Sequence, residues 1–210
     1  METEEERIAE AKREARQRAR EIRDGMTPAE IAEASRQITQ KVLALPQFRE
    51  ARVIMSYVSM EREPDTREIL RAAMAAGKRV LIPRCLDREH MEAVPFEGFE
   101  KLRPGRMGIL EPADDRNKVG GGKKDEADLA EGATEERTLE PELILVPCVA
   151  ATRDGKRLGH GAGYYDRFLA GRPGKRVCLC FGKLLMDDLP VGERDERMDL
   201  VITEDQEERT

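Results

Sequence analysis

Apolar residues recur every three or four positions near the start of the chain, which is the period of an amphipathic helix. They are Ile8, Ala11, Ala15, Ala19 and Ile22. Thr3 and Glu6 fit a capping box that begins this helix, and Gly25 can end it. The same box recurs at Thr27 and Glu30. The sequence therefore predicts two consecutive N-terminal helices.

Further along the chain, apolar residues come in short runs rich in β-branched side chains, which is typical of buried strands. These runs are 52–58, 78–83, 91–96, 142–150, 176–182 and 199–203. A helical pattern at 65–77 lies between the first two runs, and such a unit joins parallel strands by a right-handed crossover. The run at 91–96 is shorter and fits an antiparallel strand. We expect an α/β fold, a three-layer sandwich with a mostly parallel, mixed central sheet.

The segment 113–140 interrupts this pattern. It is charged, contains several glycines and has few large apolar residues, so it cannot contribute a packed core. We therefore expect a mobile surface insertion within a single domain, since 210 residues suffice for one hydrophobic core.

Composition narrows the classes of function. The formal net charge of −6 argues against a general nucleic-acid binder, because affinity for a polyanion comes largely from cations. No run reaches the ~18 apolar residues of a membrane span, and the acidic start lacks a secretory signal. We expect a cytoplasmic monomer that binds a small molecule, with no nucleic-acid or membrane partner. Reduced thiols without metal-ligand spacing are expected at Cys85, Cys148, Cys178 and Cys180.

Candidate chemistry is concentrated in "GKRLGHGAGYYDRFL", residues 155–169. So many glycines disfavour regular structure before "YYDRFL", which reads as the first turns of a helix. Backbone amides of such a loop form an anion site beside a helix start, where Arg157 adds a charge and His160 adds a donor. The spacing matches neither the P-loop nor the dinucleotide-binding pattern. On these residues alone, a phosphate site and an irregular surface turn both fit.

These features together resemble the 5-formyltetrahydrofolate cyclo-ligase family, also called 5,10-methenyltetrahydrofolate synthetases. The glycine loop is the most specific part of the resemblance. "KREAR" at 12–16, "SMEREPDT" at 59–66 and "LPVGERDERMD" at 189–199 agree with it, so that it covers nearly the whole chain apart from 113–140. It implies ATP- and Mg²⁺-dependent closure of 5-formyltetrahydrofolate to 5,10-methenyltetrahydrofolate through a phosphorylated formyl group, with release of ADP and phosphate.

The resemblance also implies site residues. Phosphate would be stabilised by Lys12, Arg16 and Arg157, with no distinct catalytic nucleophile. ATP contacts are expected from Lys12, Arg13, Glu14, Ala15, Arg16, Arg157, Leu158, Gly159, His160, Gly161, Ala162, Gly163, Tyr164 and Tyr165. Folate contacts are expected from Arg16, Val58, Glu63, His160, Gly161, Ala162, Gly163 and Tyr164. Asp166 and Asp195 would hold Mg²⁺, and Arg84 is a candidate near the folate's anionic tail.

Simpler interpretations of the same residues stay open. Lys12 and Arg16 lie among other arginines and fit a solvated basic helix face, while Asp195 fits a solvated turn. Glu61 precedes Glu63 by two positions and is an alternative pterin ligand. A non-catalytic folate- or nucleotide-binding relative is the alternative function. An enzyme on a related scaffold, such as a sugar-phosphate isomerase or a coenzyme A transferase, is a third.

Overall fold

The computed structural model describes residues 3–105, 110–112 and 139–205, together with the backbone of 207–209. The predicted insertion at 113–140 lies outside these residues except for its last two positions, so its mobility stays a prediction. Across the described ranges, no helix is long and apolar enough to cross a membrane.

Both N-terminal helices begin at the predicted capping boxes. The Thr3 hydroxyl accepts a hydrogen bond from the backbone N–H of Glu6 at 3.1 Å, and Thr27 caps the second helix in the same way. A further short helix starts immediately at Pro46, which the sequence pattern did not indicate. In the described part of the chain the helices are α1 (Glu4–Asp24), α2 (Pro28–Ala44), α3 (Pro46–Glu50), α4 (Arg67–Ala75) and α5 (Tyr164–Leu169).

The strands are short. In chain order they are β1 (Val53–Met55), β2 (Arg79–Cys85), β3 (Met91–Pro95), β4 (Leu102–Pro104), β5 (Leu110–Pro112), β6 (Leu143–Pro147), β7 (Ala150–Thr152), β8 (Arg157–Leu158), β9 (Lys175–Leu179), β10 (Leu185–Met186), β11 (Leu200–Ile202) and β12 (Glu207–Arg209).

The main sheet has the strand order β12-β11-β9-β6-β1-β2-β3. From β11 to β2 every neighbouring pair is parallel, and the two edge strands, β3 and β12, are antiparallel to their neighbours. The α/β fold with a mostly parallel, mixed sheet is therefore confirmed, as are the parallel β1-α4-β2 unit and the antiparallel β3.

The centre of the sheet is fully buried. Each side chain from Leu143 to Val146 in β6 is 0% exposed, and so is each from Val177 to Leu179 in β9. A strand covered on both faces carries a continuous apolar run instead of an alternating one, which explains why these runs were so clear in the sequence. The four cysteines are free thiols, of which Cys85 is half-buried and the others are buried.

Smaller sheets flank the main one. β7 pairs with β8 in an antiparallel hairpin and with β10 in parallel, and β4 pairs with β5. The expectation that the glycine-rich stretch forms no strand was wrong at Arg157 and Leu158. These two residues gain the regular backbone hydrogen bonds of a hairpin from Ala150 and Ala151, a partner that local composition does not reveal.

One buried hydroxyl organises the segment between β1 and α4. Thr66 is 0% exposed, and its hydroxyl donates to the carbonyl of Tyr57 at 2.7 Å. The same oxygen accepts from the backbone N–H of Ser59 at 3.2 Å, and the Ser59 hydroxyl accepts from the Thr66 N–H at 3.3 Å. These bonds fold the segment back on itself and hold it at the carboxyl end of β1.

Replacing Thr66 by valine should destabilise the protein more than replacing it by serine. Thr66→Val leaves the Ser59 N–H unsatisfied and removes the shorter of the two hydrogen bonds to the Tyr57 carbonyl, which keeps only the bond from the Ser56 hydroxyl. We expect the free energy of unfolding to fall by about 1–3 kcal/mol. Thr66→Ser keeps both bonds and loses a buried methyl, at a cost of about 1 kcal/mol. Urea unfolding of the three proteins measures both changes. A serine variant no more stable than the valine variant would contradict this assignment.

Candidate functional site

A cavity of about 1170 Å³ opens at the carboxyl ends of β1, β2 and β6. Tyr57 and Val58 enter it after β1, Pro83 and Cys85 come from the end of β2, and Pro147 ends β6. Parallel sheets commonly place ligands at this edge. Pockets for one small ligand usually measure about 300–1,000 Å³, so this cavity lies above the usual range for a single ligand.

Most of the predicted site residues line this cavity. They are Lys12, Arg13, Arg16, Val58, Glu63, Arg157, Leu158, Gly159, His160, Gly161, Ala162, Gly163, Tyr164, Tyr165, Asp166 and Asp195. Glu14 and Ala15 do not. Ala15 packs against the hydrophobic core and Glu14 lines a neighbouring groove, because helix positions one or two apart point in different directions.

Arg157 is a buried cation at the floor of the cavity. Its side chain is 3% exposed, and it donates to Asp166 Oδ1 at 2.8 Å and to the Pro147 carbonyl at 3.2 Å. Its Nε is buried without a hydrogen-bond partner among the described residues. Asp166 Oδ1 also accepts from the Glu196 N–H at 3.3 Å. This pair therefore ties β6, the glycine loop, α5 and the C-terminal segment together.

A second ion pair crosses the cavity mouth. Lys12 on α1 donates to Asp195 Oδ1 at 2.7 Å, and the Gly192 N–H donates to Asp195 Oδ2 at 2.6 Å. Both side chains are largely buried, at 18% and 20% exposure. The solvated-turn interpretation of Asp195 therefore does not describe this structure. Lys12 forms this ion pair with Asp195, so its interpretation as part of a solvated basic helix face does not describe the structure either.

The two carboxylates predicted to hold Mg²⁺, Asp166 and Asp195, line the same cavity. No group of three or more His, Cys, Asp or Glu side chains is arranged for a metal in the ranges that the structure covers. Mg²⁺ bound with a nucleotide usually takes one or two protein carboxylates, and phosphates and water complete its coordination. The donor set fits a cation of this kind, and it does not suit a closed protein cage.

The glycine loop packs directly against α1. Arg16 donates from Nε to the Gly159 carbonyl at 2.8 Å. Gly161 has a φ of +112°, and a Cβ there would lie 3.6 Å from Arg16 Cζ. Gly163 has a φ of 69° and occupies the N-cap position of α5. The left-handed backbone at 161 and 163 requires glycine, so the loop can follow the surface of α1.

Glu63 is a buried carboxylate on the opposite wall. The residue is 7% exposed, and its Oε2 accepts from the Met60 N–H at 2.8 Å. Oε1 lies 3.6 Å from His160 Nε2 and accepts no hydrogen bond from any described residue. Burial raises the pKa of this carboxyl. Glu61 is exposed and lies outside the cavity, so the geometry favours Glu63 as the ligand-facing carboxylate.

A strained turn sets the position of Glu63. Arg62 has a φ of 67°, which is uncommon for a residue with a side chain. Its guanidinium donates to the Arg23 carbonyl at 3.3 Å, at the C-terminal end of α1. The turn thereby connects the carboxylate to the helix that carries Lys12 and Arg16.

His160 lies between the two walls. Burial lowers the pKa of its imidazole, and the nearby guanidiniums of Arg23, Arg157, Arg20 and Arg16 lower it further. The sequence suggested a donor that can be cationic. In this setting the neutral imidazole is the favoured form at neutral pH, with one donor and one acceptor nitrogen.

Several cavity residues were missed from the sequence. Tyr57, Met60, Cys85, Glu111 and Arg194 also line it. Tyr57 and Cys85 stand at the ends of buried parallel strands, and that position was the signal available. Tyr165, which was predicted to contact ATP, lines the cavity, and its buried hydroxyl has no hydrogen-bond partner in the described ranges.

Arg84 is not among the residues around the cavity. It donates from Nε to Glu92 Oε1 at 2.8 Å, across the β2–β3 pair. Its charge is therefore neutralised by its neighbour in the sheet.

Known proteins of one family are similar to this chain in sequence and in fold. A profile of the 5-formyltetrahydrofolate cyclo-ligase family matches residues 8–204. The 5-formyltetrahydrofolate cyclo-ligase of Mus musculus is 31% identical over 176 residues, covering 80% of this chain and 81% of the mouse protein. A probable 5-formyltetrahydrofolate cyclo-ligase of Schizosaccharomyces pombe is 30% identical over 181 residues, covering 79% and 81%.

The NMR structure of Aquifex aeolicus 5,10-methenyltetrahydrofolate synthetase superposes with a TM-score of 0.73 at 25% identity. The superposition covers 94% of this chain and 92% of the Aquifex chain. Because the family profile matches almost the whole chain and the fold agrees with it, this protein belongs to the 5-formyltetrahydrofolate cyclo-ligase family.

Proposed function

We propose that this protein uses ATP to convert 5-formyltetrahydrofolate into 5,10-methenyltetrahydrofolate, with release of ADP and phosphate. One observation carries the proposal: a single cavity places the buried carboxylate of Glu63 opposite a wall of cations and a glycine loop. The carboxylate suits the N–H donors of a pterin ring, and the cationic wall suits a polyphosphate. Family membership supports the same assignment.

Glu63 is the proposed anchor for the pterin. A carboxylate can accept two parallel hydrogen bonds from the amine and the amide of the ring, and charge-assisted bonds of this kind are strong. Its Oε1 has no hydrogen bond from any described residue, so that this oxygen is available to a ligand. Val58, 4% exposed and lining the cavity, would pack against the flat face of the ring.

The nucleotide would lie along the opposite wall. Lys12, Arg16 and Arg157 supply cations there, and the amides of the glycine loop supply neutral donors. Asp166 and Asp195 would hold Mg²⁺, which supplies positive charge against the phosphate oxygens when it is bound. In the protein alone, these carboxylates are neutralised by Arg157 and Lys12.

The proposed chemistry requires positioning more than a nucleophilic side chain. The formyl oxygen attacks the γ-phosphorus of ATP, and ADP leaves. Nitrogen-10 of the folate then attacks the activated formyl carbon, the carbon–oxygen bond breaks, phosphate departs and the N10 proton is lost. Arg16 and Arg157 would stabilise the charge on the transferring phosphoryl group while the cavity holds the two substrates in contact. A cytoplasmic location and a monomeric state stay predictions.

The direct test is an absorbance assay for the methenyl product, with and without ATP and Mg²⁺. We expect product only when both are present. A protein that binds the folate and the nucleotide in calorimetry but forms no product would be the non-catalytic relative, and that result would overturn the proposal.

Asp166→Asn should abolish most of the turnover. The substitution removes the negative charge that neutralises buried Arg157 and that would hold Mg²⁺. We expect kcat to fall by about 10²–10³-fold, the scale seen when a preorganised electrostatic contact is lost. Asp187→Asn is the matched control, since Asp187 is exposed and does not line the cavity. Far-UV circular dichroism confirms folding, and a kcat within threefold of wild type would refute the role of Asp166.

Glu63→Gln should act mainly on the folate. Glutamine keeps the size of the side chain but cannot accept two bonds with a full negative charge. Hydrogen bonds to charged groups contribute about 1.5–3 kcal/mol, so the KM for 5-formyltetrahydrofolate should rise about 10–100-fold. The KM for ATP should change little. Glu61→Gln provides the control two residues earlier, and equal effects of both substitutions would remove Glu63 from the pterin site.

A further inference from the structure

A second groove, of about 730 Å³, runs along α1 beside the cavity. Four residues line both spaces, so the groove begins where their side chains border the cavity: Glu10, Arg13, Arg16 and His160. Arg20 lines only the groove. A ligand that fills the cavity can therefore extend a polar tail past Arg16 and His160 toward Arg20.

Two arginines toward the C-terminal end of α1, Arg20 and Arg23, have few polar contacts. Arg16, Arg20 and Arg23 are spaced by four and three residues and so share one face of α1. Arg20 makes no hydrogen bond or ion pair with any residue that the structure describes. Arg23 Nε is buried without a hydrogen-bond partner in the same part of the chain, and its nearest carboxylate, Asp24 Oδ1, is 3.8 Å away.

Acidic side chains along the groove compensate only part of this charge. Glu10 pairs with Arg13, and Glu21 accepts a hydrogen bond from the Gln17 amide at 2.8 Å. Glu14 is the remaining carboxylate of the groove lining. Neither Glu10 nor Glu21 is bonded to Arg20.

The electrostatics of the neighbouring groups agree with an unbalanced positive potential. The pKa of Arg16 is lowered, first by burial and then by the charge of Arg20. Arg23 and Arg20 also contribute to the lowered pKa of His160. An anion bound between these groups would relieve their mutual repulsion.

The position of Arg20 favours the substrate over the nucleotide as the source of that anion. Arg20 lies one helical turn, about 6 Å, beyond Arg16 and away from Lys12, where the phosphates are proposed to bind. A folate carries its glutamate dicarboxylate at the end opposite the pterin. Arg84, the candidate from the sequence, is already paired with Glu92.

We propose that Arg20 and the groove beside it bind the carboxylates of the substrate's glutamate tail, which leaves the cavity between Arg16 and His160. The proposal rests on the proposed function for the identity of the ligand. It makes Arg20 a determinant of affinity for folates that carry the glutamate, without a part in the transfer of the phosphoryl group.

The test compares two substrates, 5-formyltetrahydrofolate and 5-formyltetrahydropteroate, which lacks the glutamate. Arg20→Gln should raise the KM of the first about threefold to fivefold, the scale of a solvent-accessible ion pair, and Arg20→Glu should raise it further. The KM of the pteroate and the KM of ATP should not change. Added salt should reduce the difference between wild type and variant. Arg7→Gln on the same helix is the control, since Arg7 lies outside both the cavity and the groove.

The outcomes separate this proposal from the function on which it rests. Equal KM increases for both folates would mean a general disturbance of α1, and an increase confined to ATP would mean a phosphate ligand; either result overturns the proposal. If wild type turns over neither substrate, the proposed function fails. Calorimetric Kd values for the two folates would then decide the tail site, with a glutamate-dependent loss in Arg20→Gln supporting it and no such loss overturning it.

Discussion

The buried guanidinium of Arg157 is the constraint on which the rest of the site depends. Moving such a charge out of water costs several kcal/mol unless it is neutralised and hydrogen-bonded. Asp166 supplies the neutralisation, and the Pro147 carbonyl supplies a second acceptor. These contacts fix the start of α5 and the end of β6 relative to the glycine loop. Through the Glu196 N–H, Asp166 also holds the C-terminal segment in which Asp195 pairs with Lys12. One chain of polar contacts thus runs from the centre of the sheet to the N-terminal helix.

This arrangement lets the protein keep cations and carboxylates in one cavity without large net charge. Each carboxylate that would hold Mg²⁺ is paired with a cation that would contact phosphate. A nucleotide with its metal brings both signs of charge, so both kinds of side chain can find new partners together. Phosphate without metal would face Asp166 and Asp195, and metal without phosphate would face Lys12 and Arg157. Under the proposed function, this pairing would therefore favour the nucleotide together with its metal over either one alone.

The features that were predictable from the sequence are those determined by residues close together in the chain. Capping boxes at Thr3 and Thr27 and the continuous apolar run of β6 are set by neighbouring residues, and the structure confirms them. The resemblance to the 5-formyltetrahydrofolate cyclo-ligase family identified most of the residues that line the cavity. The strand at Arg157 and Leu158 and the ion pair between Lys12 and Asp195 depend on residues distant in the chain, which a local pattern does not reveal. Glu14 and Ala15 were assigned with their helix neighbours, although the helical period turns them away from the cavity.

The position of α1 connects these observations. Its inner face carries Ala19, 1% exposed, into the core, and a neighbouring face presents Lys12 and Arg16 to the cavity. Arg16 also donates to the Gly159 carbonyl, and Arg62 from the Glu63 turn donates to the carbonyl of Arg23. The helix is therefore bonded to the glycine loop at its middle and to the turn that carries Glu63 at its C-terminal end. A movement of α1 would therefore displace both the glycine loop and the turn that carries Glu63, and with them the proposed nucleotide and folate sites.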